Sequence, residues 1–141
     1  MSIKKEVTAQ ARKAKEASRE LGSISTKVKD EALMKIADKL EESTDEILAI
    51  NEKDMQSGKE NGLSSALLDR LQLTEARIKK MANGLRDIVK LEDPIGEVTK
   101  MWKRPNDLHI GQIRVPLGVI GIIYEARPNV TIDVAGLCLK A

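Results

Sequence analysis

Few side chains in this sequence have types and spacings suited to chemistry. They are a lone thiol at Cys138, a lone imidazole at His109, a guanidinium at Arg127 close to Asn129, and glycines at Gly118 and Gly121. A thiolate can attack an acyl carbon, but Cys138 sits between Leu137 and Leu139 in an apolar stretch. Burial there raises a thiol's pKa and blocks access, so Cys138 is expected to be a core residue, as free cysteines commonly are. His109 has no second histidine or cysteine near it, and no metal site is expected. Gly118 and Gly121 fall inside an apolar run, whereas the dinucleotide fingerprint follows a strand; close packing in a sheet accounts for them. Arg127 and Asn129 remain as candidate site residues. A planar guanidinium suits two-point contact with phosphate or carboxylate, although Arg127 can equally pair with Glu125 or with a helix end. Asn129 is equally suited to capping a helix.

The elements that must position these residues change character along the chain. Val7, Ala11, Ala14, Ala17 and Leu21 recur at helical spacing before Gly22, which predicts a first helix of about five turns. After Ser25 and Thr26, both good caps, the stripe Leu33, Ile36, Ala37 and Leu40 continues through Ile47 and Leu48. Ser64 and Ser65 can cap a short helix through Arg70. Thr74 can cap another that contains Ile78, Met81, Leu85, Ile88 and Val89. Opposite the Leu33 to Leu40 stripe, Lys29, Asp30, Lys35, Asp38, Lys39, Glu41 and Glu42 form a solvated face. Beyond Asp93-Pro94, residues 97–103 and 108–115 read as a β-hairpin around Arg104-Pro105-Asn106-Asp107. A shift of apolar phase across Gly111 predicts a bulge there.

The run Leu117 to Tyr124 is short and nearly all apolar, the pattern of a strand buried on both faces of a parallel sheet. A helix is expected from Asn129, apolar nearly all round and therefore buried, with Gly136 packed closely against its neighbour. Pro128 disfavours helical geometry at Arg127 and so holds the turn extended before that helix. Strand, turn and helix open a βαβ crossover whose second strand is not in the sequence. The chain is therefore expected to be a fragment, because a lone parallel strand leaves its backbone groups unpaired. The fold class is α/β: helices over 1–94, a hairpin over 95–116, and the first strand and helix of an incomplete parallel-sheet domain over 117–141.

Composition excludes several functions. The 141 residues are 41% hydrophobic, enough for one domain with a core, and 24 Lys and Arg stand against 22 Asp and Glu. That near-neutral balance, with 1% aromatic residues, leaves neither a basic footprint nor a stacking platform for nucleic acid. No apolar run reaches membrane-spanning length, and a single cysteine fits a reduced cytoplasm.

Pro116-Leu-Gly-Val-Ile-Gly-Ile-Ile-Tyr-Glu-Ala-Arg-Pro-Asn-Val-Thr131, followed by Asp133 and Leu137-Cys-Leu-Lys140, closely resembles the glutamate-5-semialdehyde dehydrogenases, or gamma-glutamyl phosphate reductases. The Tyr124 to Thr131 part is specific to them. The Pro-Leu-Gly-Val-Ile-Gly part is similar to the wider aldehyde dehydrogenase superfamily. The resemblance covers the whole chain, which corresponds to the beginning of longer proteins. It implies NADPH-dependent reduction of L-glutamyl 5-phosphate to L-glutamate 5-semialdehyde, with phosphate release, in proline biosynthesis. It also implies that the nucleophilic cysteine lies in a later segment, so no catalytic residue of that kind is expected here. Near the place of Arg127 the superfamily keeps an asparagine that binds an oxyanion. Arg127 or Asn129 is thus expected as an oxyanion or substrate contact, and Tyr124, Glu125 and Ala126 as cofactor contacts. The superfamily's hairpin at this place joins subunits, which implies a homo-oligomer; Trp102 on that hairpin is suited either to anchor the interface or to cover the hairpin's own apolar face. The alternative is a non-catalytic module in which helices and hairpin serve assembly alone.

Overall fold

A computed structural model describes residues 2–125 and 127–141. Among them are six helices and one two-stranded antiparallel ribbon, in an α/β arrangement. The chain divides into two compact units.

The first unit comprises Met1–Thr26, Glu92–Gly121 and Ala141. Its helix α1 (Ile3–Leu21) has the expected length, but its apolar stripe is uncovered and none of its residues is buried. Strands β1 (Val98–Lys103) and β2 (His109–Ile113) form the expected hairpin. Asp107 adopts φ 66°, a left-handed conformation that aspartate tolerates, and follows a turn closed by its own N–H donating to the Arg104 carbonyl at 3.0 Å. The bulge lies on the other strand from the one expected. Gly111 pairs directly with Met101, whereas Val98 faces Ile113 and Lys100 faces Gln112, which leaves Thr99 as the extra residue. Its hydroxyl donates to the Gln112 carbonyl at 3.3 Å, so the side chain uses an acceptor beside the interrupted ladder.

The second unit, Lys27–Leu91 with Ile122–Lys140, holds the principal core. It contains α2 (Thr26–Glu42), α3 (Thr44–Glu60), α4 (Ser65–Leu71), α5 (Glu75–Val89) and α6 (Pro128–Lys140), with Thr26 lying at the boundary. The stripe expected to run unbroken from Leu33 to Leu48 is interrupted at Ser43. There φ −95° and ψ 15° leave the helical region, and the Thr44 hydroxyl takes the Glu41 carbonyl at 2.8 Å. Such local side-chain bonds compete with helix continuation. Ser64 and Thr74 cap α4 and α5 as expected, accepting from the Leu67 and Arg77 amides.

Leu33 and Ala37 of α2 meet Ala82, Leu85 and Ile88 of α5, and Ile132 and Leu139 of α6 pack against this cluster. Gly136 permits the closest approach, since a Cβ built there would lie 2.5 Å from Leu85 Cδ2 and 3.0 Å from Ile88 Cδ1. Two lysines are buried at the end of α6, and both have partners. Lys140 Nζ donates to Asp30 Oδ1 at 2.5 Å and to the Val89 carbonyl at 3.2 Å, while Lys29 Nζ donates to the Lys140 carbonyl at 3.2 Å. A buried ammonium is tolerable only when its donors are satisfied in this way. Across α2 and α5, Arg86 makes a two-pronged contact with Glu41 at 3.0 and 2.8 Å and reaches Asp38 at 2.8 Å. These bonds hold the Glu41 carboxyl below its ordinary pKa and raise that of Arg86.

Two expectations of burial fail. Helix α6 is not buried all round: on the side of the core cluster Gly136 and Lys140 are buried and Ile132 and Leu139 half-buried, while Thr131, Ala135 and Leu137 are exposed. Cys138 is exposed too. The run 117–125 forms no strand and is exposed, with Leu117 at 85% and Ile123 at 101%. A strand exists by pairing, and no described residue pairs with this one.

Replacing Gly136 with Ala should lower stability by about 1 kcal/mol. Overpacking costs roughly 1–3 kcal/mol and is offset in part by about 1 kcal/mol of helix propensity. Denaturant midpoints would measure the difference; an equal or higher midpoint would mean that Leu85 and Ile88 move aside without loss.

Candidate functional site

Helix α6 begins at Pro128, whose fixed φ and missing N–H suit the first helical position. The preceding residue, Arg127, closes that turn by accepting from the Val130 amide at 3.0 Å. Asn129 therefore lies within the first turn and is not the helix cap. Its side-chain amide donates to Asp133 Oδ2, one turn further on, at 3.2 Å. Tyr124 hydrogen-bonds through its hydroxyl to Thr131 Oγ1 at 2.6 Å. Glu125 is exposed and makes no ion pair with Arg127, while Ala126 lies outside the described residues.

Arg127, Asn129 and Asp133 line one side of a cavity of about 390 Å³. Pockets of this size take small molecules. The α4–α5 wall comes from the end of α4, the connection through Gln72 and Leu73, and the stretch of α5 from Arg77 to Gly84. Two residues hold that connection. Asn51 is buried; its amide donates to the Leu71 carbonyl at 2.9 Å and its oxygen accepts from the Leu73 amide at 2.7 Å. Arg77 donates to the Asp69 and Gln72 carbonyls and, at 3.0 Å, to Asp69 Oδ1.

With Arg77 and Asp69 joined, the remaining charges on the lining are Arg70, Lys80 and Arg127 against Asp133. Among the described residues, none of these three cations enters an ion pair. The lining is thus a positive concavity with one carboxylate outside an ion pair, an arrangement that attracts a multiply anionic ligand.

No protein-family model matches the chain. Whole-sequence relatives do match it. The gamma-glutamyl phosphate reductase of Halothermothrix orenii is 66% identical over 140 residues, which is 99% of this chain and 34% of that protein. That of Clostridium novyi is 60% identical over 141 residues, 100% of this chain and 34% of that protein. The crystal structure of the gamma-glutamyl phosphate reductase from Thermotoga maritima superposes with a TM-score of 0.91 at 43% identity, covering 94% of this chain and 32% of that one.

The chain belongs to the gamma-glutamyl phosphate reductase family.

A second family structure, from Saccharomyces cerevisiae, gives a TM-score of 0.86 at 33% identity, over 99% of this chain and 35% of that one. The chain spans about a third of the length of the relatives it matches.

Of the residues singled out from sequence, Arg127 and Asn129 come together on the cavity, whereas Cys138 and His109 do not line it. Sequence reasoning missed the α4–α5 wall. Arg70, Arg77, Lys79 and Lys80 crowd around the Thr74 cap against Asp69 and Glu75, a local excess that was readable.

Asn51→Ala should loosen the α4–α5 connection, because the Leu71 carbonyl and Leu73 amide lose a buried partner. At roughly 1–3 kcal/mol for each of the two unsatisfied groups, a loss of about 2 kcal/mol or more is expected. Faster hydrogen exchange at Leu73 would accompany it, and unchanged protection there would show that Asn51 does not hold the wall.

Proposed function

We propose that this chain acts as the N-terminal part of an NADPH-dependent reductase that converts L-glutamyl 5-phosphate to L-glutamate 5-semialdehyde in proline biosynthesis. The reaction consumes the acyl phosphate, NADPH and a proton and yields the aldehyde, phosphate and NADP⁺. Residues 1–94 and 117–141 would serve the substrate and cofactor region, and 95–116 assembly. Membership of the family is the main support, and the cavity before α6 is the observation that ties it to residues. Arg127, without an ion-pair partner, is suited to the phosphoryl or carbonyl oxygens of an acyl phosphate, with Asn129 beside it as a neutral donor. This chain's only thiol, Cys138, is exposed on α6 but does not line the cavity, in keeping with a nucleophile supplied from beyond these residues.

NADPH supplies the hydride. Tyr124 and Glu125, with Ala126, are proposed to meet it, because they end the apolar run and α/β sheets take ligands at the carboxyl ends of their strands. Since that run is unpaired here, these residues alone do not build a dinucleotide site. The chain's own part is therefore at the substrate. Among the described residues no helix is long and apolar enough to cross a membrane, and a cytoplasmic setting belongs to the same proposal.

Homo-oligomer formation through the hairpin is supported by its exposed apolar residues. Val98 is 53% exposed, Met101 67% and Ile113 55%. Isolated two-stranded ribbons are marginal in water, and this one gains from being covered.

In the full-length enzyme, Arg127→Ala should lower kcat/KM by about 100-fold, the scale of losing one oriented oxyanion donor, with little change in melting temperature. Steady-state kinetics beside a thermal melt would decide, and near-normal turnover would remove Arg127 from the site. Met101→Lys should weaken assembly by placing a charge on the face that carries Val98 and Ile113. Sedimentation should then show a smaller species at matched concentration; an unchanged oligomer would count against the hairpin's role.

A further inference from the structure

We propose that the cavity recognises the amino-acid end of the substrate, with Arg70 and Lys80 of the α4–α5 wall binding its α-carboxylate and Asp133 of α6 its α-ammonium. The inference rests on the reading of the chain as part of a reductase of L-glutamyl 5-phosphate, and it assigns the selectivity of that enzyme to residues outside the reacting end.

Charge complementarity is the first argument. The substrate carries an acyl phosphate at one end, and a carboxylate and an ammonium at the other. Once Arg77 and Asp69 are paired with each other, the cavity offers Arg127, Arg70 and Lys80 to anions and Asp133 to a cation. Arg127 stands at the start of α6, where a helix N-terminus also favours a phosphate. Arg70 and Lys80 come from other elements, the end of α4 and the first half of α5, so the cations of the lining fall into two groups by the elements that carry them. A ligand with anions at both ends meets both.

Asp133 supplies the second argument. Its Oδ2 accepts from Asn129 at 3.2 Å, which leaves Oδ1 for another donor. That oxygen faces Gly84 of α5, where an added Cβ would meet no atom except Asp133 Oδ1, at 3.8 Å. Glycine is disfavoured inside a helix, and no packing contact demands it here. A methyl there would sit in van der Waals contact with the free carboxylate oxygen and cover one side of it, which glycine leaves uncovered.

The third argument is rigidity. The α4–α5 connection is held by Asn51 and Arg77, so the segment joining Arg70 to α5 is fixed to the scaffold. Specificity needs charged groups on a wall that does not yield to the wrong ligand.

The test uses the full-length reductase and its phosphate-dependent reverse reaction, comparing L-glutamate 5-semialdehyde with butanal, which lacks both the carboxylate and the ammonium. The double variant Arg70→Gln, Lys80→Gln should lower kcat/KM for the semialdehyde at least tenfold, chiefly through KM. The preference over butanal should fall by a similar factor. Asp133→Asn should also reduce that preference, and KM for NADP⁺ should stay within twofold. Lys80→Gln alone, at an exposed position, should show the same trend if the double variant folds poorly. An unchanged preference, an equal loss on both aldehydes, or a shifted KM for NADP⁺ in place of the aldehyde effect would overturn the assignment while leaving the reductase reading intact. A wild-type enzyme that does not oxidise the semialdehyde at all would overturn both.

Discussion

The second unit depends on how closely α6 can approach α5. At Gly136 the two helices come so near that even a methyl group would meet Leu85 Cδ2 at 2.5 Å. That approach brings Ile132 and Leu139 onto the cluster of Leu33, Ala37, Ala82, Leu85 and Ile88. It also sets both ends of α6. At one end Lys140 reaches Asp30 and the carbonyl of Val89; at the other Asn129 and Asp133 line the cavity together with residues of α5. A small change in helix separation would move a buried ion pair and a binding wall together, because packed interiors transmit displacement instead of absorbing it.

Polar groups then make the packing specific. Apolar contact alone would allow α2 and α5 to slide, whereas the two-pronged contact of Arg86 with Glu41 and its reach to Asp38 fix their register. Asn51 does the same for the connection between α4 and α5 by pairing with two backbone groups that would otherwise be orphaned. The walls of the cavity thus have separate supports, hydrophobic beneath α6 and hydrogen-bonded beneath α4.

Local signals in the sequence told most about what is local in the structure. The extent of α1, the caps at Ser64 and Thr74, the hairpin and the start of α6 all follow from capping residues, turn formers and Pro128, whose effects reach only a few positions. Properties set by neighbours were harder to read. The burial of Cys138 depended on which sides of α6 would be covered, and its own is not. The strand character of 117–125 depended on partners that the described residues do not provide. Apolar phase placed the ribbon's irregularity at Gly111 of β2, whereas the extra residue is Thr99 of β1, and which strand is interrupted is set by the pairing between strands. The cavity was half legible: Arg127 and Asn129 stood out beside Pro128, but the charges of Arg70 and Lys80 look like ordinary surface until the fold brings them onto the same cavity.

The surplus residue at Thr99 has a bearing on what the ribbon can join. Open ladders recruit further strands when their edges are straight and their repeat is regular, and endless addition of that kind leads to fibres. A two-against-one mismatch in β1 coils the ribbon more tightly and breaks the spacing of its outward-facing amides and carbonyls. A partner shaped to the twist can still seat on it, while a flat copy stacked in register cannot continue past the mismatch. The same irregularity that spoils an ideal ladder therefore acts as a stop on uncontrolled growth, at a place where valine, methionine and isoleucine would otherwise invite it.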